Sequence, residues 1–170
     1  MTRIETNLEI ISQAARAKRG ENLSFKKFLR RMPSAELDAL VEKLNADIEP
    51  RIDCTACANC CKSLHAAAFE DELLALAAQK QISVDDFKRT FLRSHKDAFY
   101  FVSRPCPMLQ ANNLCNVYDA RPICCRTFPN LVGEHFKYRF DAVMEKYDVC
   151  PIVFNVVEQL KSVLGFQNAS

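Results

Sequence analysis

The chain has 170 residues, of which 49% are hydrophobic and 26% charged, a balance that fits one globular domain with at most a short appendage. Its formal net charge of +2 gives no whole-molecule field to draw in nucleic acid or an anionic membrane. No stretch approaches the ~20 apolar residues a bilayer span needs, and the first twenty residues lack the apolar core and cleavage pattern of a secretory signal, so a cytoplasmic protein without a membrane partner is expected.

The first fifty residues read as helices. Ile4, Leu8, Ile11 and Ala15 recur at helical spacing up to Gly20, and a second short helix is expected over 23–31. After Pro33, Ser34 is the expected N-cap of a third helix, whose apolar stripe is Leu37, Leu40, Val41, Leu44 and Ile48 and whose stop is Pro50. The cysteine cluster at 54–61 then falls in a loop. A helix is expected over 69–80, and Ser83 with Asp86 resembles a capping box opening another from Val84 to about Arg93.

Residues 97–103 lean towards strand because aromatics dominate. Cys106 and Cys115 bracket the turn signal Asn112–Asn113 as a hairpin would. Phe136, Tyr138 and Phe140 alternate with charged residues, which is strand periodicity. Pro151 follows Cys150 as a good first helical residue, and Val153, Val156, Val157, Leu160 and Leu164 outline a last helix closed by Gly165. The expected fold is mainly α with a small irregular β component: an N-terminal helical segment over 1–50, and a metal-stabilised cysteine-rich domain over 51–170, the two forming one compact unit.

Nine cysteines stand out in such a chain. Without export the thiols stay reduced, and clustered cysteines then more often hold metal or do redox chemistry than form disulfides. Cys54-x2-Cys57-x2-Cys60 repeats the step that turns a backbone around an ion and brings sulfurs to within about 2.3 Å of it. Cys106-Pro107 and Cys150-Pro151 are the remote Cys-Pro candidates, as in ferredoxin-type cluster binding. Cys60–Cys61 and Cys124–Cys125 are adjacent pairs; neighbouring side chains seldom reach one ion without strain, so each pair serves two metals or includes a spare. Lys62, Arg121 and Arg126 lie beside the clusters, where cations would offset thiolate charge, although ordinary surface charge explains them too.

"CTACANCC" followed by "CPMLQANNLCNVYDARPICCRTFP" resembles the YkgJ-type cysteine-cluster family of CxxCxxCC zinc- or iron-chelating domains. The resemblance covers about residues 54–155 and implies a ligand set of Cys54, Cys57, Cys60, Cys61, Cys106, Cys115, Cys125 and Cys150. Cys125 matches the family cysteine in Arg121-Pro122-x-x-Cys125-Arg126, which leaves Cys124 as the extra thiol. Asn59 stands where the family often has glycine, and asparagine also accepts left-handed turn angles. Met108 replaces the usual Phe after Cys-Pro.

His65, His95 and His135 are scattered and read as surface or supporting residues, since the thiols already saturate two sites. The basic residues between Arg16 and Arg31 read as the solvated faces of two helices, and the aromatics near 100 and 138 as core, so nucleic acid is not an expected partner. The reading is a metal-binding protein holding zinc or an iron–sulfur cluster, with no independent catalytic activity. Its rivals are an iron–sulfur redox or accessory module of a modifying enzyme such as a protein lysine methylase, and a metal storage or delivery protein.

Overall fold

The side chain of Asn7 accepts hydrogen bonds from the amides of Glu9 and Ile10 and so opens the first helix of the computed structural model, which describes residues 3–167. That helix, α1 (Leu8–Ala17), is followed by α2 (Arg19–Leu29) and α3 (Ser34–Ile48). Two short helical turns come next, α4 (Cys54–Cys57) and α5 (Asn59–Ser63), then strand β1 (Ala67–Ala68). Helices α6 (Leu73–Gln79) and α7 (Val84–Phe91) lead to strands β2 (Leu92–His95) and β3 (Ala98–Phe101). Helices α8 (Ile123–Arg126), α9 (Phe136–Met144) and α10 (Pro151–Val163) complete the order. The chain is mainly α, with one small antiparallel sheet of order β1-β3-β2.

Two compact units are present: residues up to Asp53 together with those from Pro129 onwards, and Cys54–Phe128. In the first unit, α3 packs on α10 and α9. Leu37, Val41 and Ile48 come from α3, and Val153, Val156, Val157 and Leu160 from α10; all are buried. Phe25 of α2 meets Phe140 edge-on at 5.8 Å, and Phe140 meets Phe136 at the same distance. Inside this core Lys161, with only 5% of its surface exposed, is held by Glu21 and Glu158, both at 2.6 Å. Tyr147 donates to the same Glu158 at 2.6 Å, and Lys18 also pairs with it. No helix among the described residues is long and apolar enough to cross a membrane.

Residues 136–144 form a helix, not the strand their alternation predicts. Phe136, Phe140 and Val143 are buried while Tyr138 lies outside, so the face that meets the core has helical period. Tertiary contacts decide the matter. Asp38 of α3 caps the helix start, its carboxylate accepting from the amides of His135 at 2.7 Å and Phe136 at 2.8 Å. Arg139 gathers the incoming loop by donating to the carbonyls of Asn130, Leu131, Gly133 and Glu134 at 2.8–3.1 Å.

The second unit packs α6, α7 and the sheet around Phe87, Leu73, Leu76, Phe101, Met108 and Val117, with Cys106 and Cys115 against that cluster. Ser83 caps α7 by accepting from the amide of Asp86 at 3.1 Å, as its position predicts, and the helix ends at Phe91 because Leu92 enters β2. The first four residues of the expected 69–80 helix form an extended entry and a 3-10 turn, Glu70–Glu72, before α6 starts.

Candidate metal centre

The first cysteine segment is two turns of helix rather than the expected loop. Ala58, buried and with φ 47° and ψ 17°, breaks the helix between them in the left-handed region, so the tight turn falls one residue before Asn59. Asn59 lies inside α5 and accepts from the Ser63 hydroxyl at 3.1 Å. Lys62 reaches back to the Cys57 carbonyl at 3.4 Å.

The second segment is tied to the first through the backbone: the Cys106 amide donates to the Cys61 carbonyl at 2.7 Å. Beyond it the chain turns at Asn112–Asn113, where Asn113 has φ 64°, and returns with a single antiparallel bridge between Leu109 and Cys115. The bracketed turn expected from the sequence is therefore present, reduced to one bridge. Asn113 also donates to the Ala56 carbonyl at 3.4 Å, closing the turn over α4. The third thiol-bearing piece, α8, is anchored by Glu72, whose carboxylate accepts from the Ile123 amide at 2.6 Å.

Within these pieces the sequence-adjacent thiols lie close. Sγ of Cys60 lies 3.9 Å from Sγ of Cys61, and Sγ of Cys124 lies 3.7 Å from Sγ of Cys125. Cys54 is exposed, Cys57, Cys60, Cys61, Cys106, Cys115, Cys124 and Cys125 are half-buried, and Cys150 is buried in the other unit at the start of α10. Among the described residues no three His, Cys, Asp or Glu side chains stand, as they are, in an arrangement that could hold a metal ion.

The electrostatics show which sulfurs share one environment. Burial pushes the Cys106 thiol up to about 11, and charge on Cys61, Cys115 or Cys124 adds to the rise. Burial also raises Cys115, with Cys61 adding to it. Cys61 falls to about 7, chiefly because Cys60 hydrogen-bonds its thiolate; Arg121 and Lys62 help, against the cost of burial. Cys124 falls to about 7 in the same way, with Cys125 as hydrogen-bonding partner, while Cys125 is raised because it keeps its proton for that bond and is buried. Cys61, Cys106, Cys115, Cys124 and Cys125 thus form one set in which each negative charge makes the next harder to place. A cation is the group that relieves such repulsion.

Two of the three neighbouring cations take part. Arg121 and Lys62 both favour charge on Cys61, and Arg121 does so on Cys115. Arg121 is held over the Tyr118 ring at 3.6 Å and donates to the Tyr118 carbonyl. Arg126 points to Glu72, 3.8 Å away. Among the histidines, His65 engages the Phe101 carbonyl through Nδ1 at 3.0 Å, His95 meets Tyr100 edge-on, and His135 precedes α9 with φ 61°.

A family model described as "CxxCxxCC: Putative zinc- or iron-chelating domain" matches residues 53–151. The chain belongs to the CxxCxxCC family. Membership supports metal binding in general, and the thiol-rich surroundings of Cys61 and Cys106 are of the kind that chelation needs. No curated protein and no solved structure matches the chain. In this CxxCxxCC protein the thiol the sequence reading set aside, Cys124, sits among the clustered sulfurs, and Glu72, which no motif marks, anchors the helix that carries it. The adjacency of Cys124 and Cys125, which repeats that of Cys60 and Cys61, was the available signal for the first. Glu72 carried none, because its role comes from a partner 51 positions away.

Proposed function

We propose that the protein is a non-catalytic metal-binding protein whose clustered thiolates hold single zinc-type ions in four-sulfur sites. The ligands are drawn from Cys54, Cys57, Cys60, Cys61, Cys106, Cys115 and Cys125, which all lie in the unit Cys54–Phe128. One observation carries the preference for single ions. Four thiolates about 2.3 Å from one ion lie about 3.8 Å from each other along the edges of a tetrahedron. Sγ of Cys60 and Sγ of Cys61, both in the set, are 3.9 Å apart, so this adjacent pair is read as two ligands of one ion rather than as serving two metals or including a spare. A four-iron cluster takes one thiolate on each of four separate irons, which has no use for sulfurs at the edge length of a single tetrahedron.

The donor set fits the ion. It offers soft sulfur ligands, partial burial, and Arg121 and Lys62 to offset the surplus negative charge. When bound, the ion would supply folding energy to segments that have little regular structure of their own.

Elemental analysis of anaerobically purified protein, read beside its visible spectrum, tests this. Zinc with a colourless protein is expected. Iron with acid-labile sulfide and broad visible absorption would replace it with the iron–sulfur reading.

A further inference from the structure

We propose that Cys124, the thiol outside the family motif, is itself a ligand of the metal centre. This rests on the metal-binding reading above and adds a residue to it.

Three observations converge. The Cys124 sulfur is 3.7 Å from that of Cys125, the separation two ligands of one four-thiolate ion would have. The pair's position is imposed by the fold: Glu72 holds the Ile123 amide, and the amides of Cys125 and Thr127 bond back to the carbonyls of Pro122 and Ile123 at 2.9 Å. Finally, Cys124 is half-buried and belongs to the same unit as Cys106, whose amide bonds the Cys61 carbonyl. With Cys124 counted, Cys54–Phe128 alone carries the eight thiols of Cys54, Cys57, Cys60, Cys61, Cys106, Cys115, Cys124 and Cys125. Two four-sulfur ions use that number.

The competing role for Cys124 is structural. Its Sγ–H donates to the Ala67 carbonyl of β1 at 2.9 Å. Coordination replaces the S–H bond with a sulfur–metal bond, releases the proton to solvent and gives up that hydrogen bond. Cys124→Ser separates the two roles, because a serine hydroxyl still donates to Ala67 but is a poor ligand for a soft-site ion.

The test compares alkylation by iodoacetamide in the full-length chain, zinc-loaded and metal-free, mapped to each cysteine by peptide mass spectrometry. Zinc is expected to slow modification of Cys124 by about tenfold or more, alongside Cys125. Cys124→Ser is expected to lose zinc to a competing chelator with an apparent affinity about tenfold or more weaker than wild type. Cys124 modified equally fast with and without zinc while Cys125 is protected overturns the assignment, as does a serine variant that retains zinc like wild type. Zinc that protects other cysteines but neither of these two overturns this assignment alone, whereas zinc that protects no cysteine overturns the metal-binding reading and this one with it.

Discussion

The Cys106 amide donates to the Cys61 carbonyl at 2.7 Å, so two thiol-bearing segments 45 positions apart are joined through main chain. The scaffold of the candidate centre thus has a backbone tie of its own, and a cation there would add neutralisation of thiolate charge.

Replacing a ligand should therefore act on metal content first. Cys57→Ser is expected to lower the metal-to-protein ratio and, with it, the thermal midpoint, while the helical signal of the unit built on α3 and α10 survives. Elemental analysis and a thermal scan followed by circular dichroism check this. Full stoichiometry in the variant would count against Cys57 as a ligand.

Metal uptake should release protons. Burial raises Cys106 to about 11 and also raises Cys115, so near neutral pH both sulfurs carry protons that a cation must displace. Apparent affinity should rise with pH, and titration calorimetry in buffers of different ionisation enthalpy should give a positive proton count. The metal-free protein has its own dependence. The folded pKa of Cys106 lies above its ordinary 9.0, so its contribution is intact below about 9 and is lost as pH rises through about 11. Denaturant melts across that window should show a falling midpoint that zinc removes.

Asp38 decides the conformation of a segment 97 positions away. Asp38→Ala leaves the amides of His135 and Phe136 without their acceptor and should cost about 1 kcal/mol, with a range of about 0.5–2. Urea denaturation measures it. Asp38→Asn, which keeps one acceptor oxygen, should fall in between.

Glu158 makes the same unit sensitive to acid. Burial alone would raise its pKa, but hydrogen bonds from Lys161, Lys18 and Tyr147 outweigh that and lower it below 4.5. A depressed folded pKa contributes stability that is present above the ordinary value and lost as pH falls through the folded one. Stability should drop below about pH 4.5, and Glu158→Gln should flatten that slope while lowering the midpoint at pH 7. The cost at pH 7 is expected at about 1–3 kcal/mol, because Lys161 keeps Glu21 as a partner.

Much of the architecture could be read in advance wherever one periodicity stood unopposed. Val153, Val156, Val157 and Leu160 after Pro151 define a helix that is buried along its inner face, and Ser83 with Asp86 mark the start of α7. The reading failed where local pattern and partner disagreed. Phe136, Tyr138 and Phe140 alternate like a strand, yet the cap from Asp38 and the clamp from Arg139 favour helix. The cysteine segment at 54 reads as a loop because thiols carry no helical signature, whereas the left-handed break at Ala58 lets two helical turns follow each other.

By itself the sequence determined the chemistry: nine thiols, their two-residue steps and their adjacent pairs are covalent facts, and they name soft-metal chelation before any fold is known. Only the tertiary structure decided which sulfurs share one environment. Cys61, Cys106, Cys115, Cys124 and Cys125 come within electrostatic reach of one another because a backbone hydrogen bond, a one-bridge turn and a carboxylate from Glu72 hold their segments, and such distant partners leave no trace in spacing. Local order is set by neighbours along the chain, but a charge that must be neutralised is set by neighbours in space.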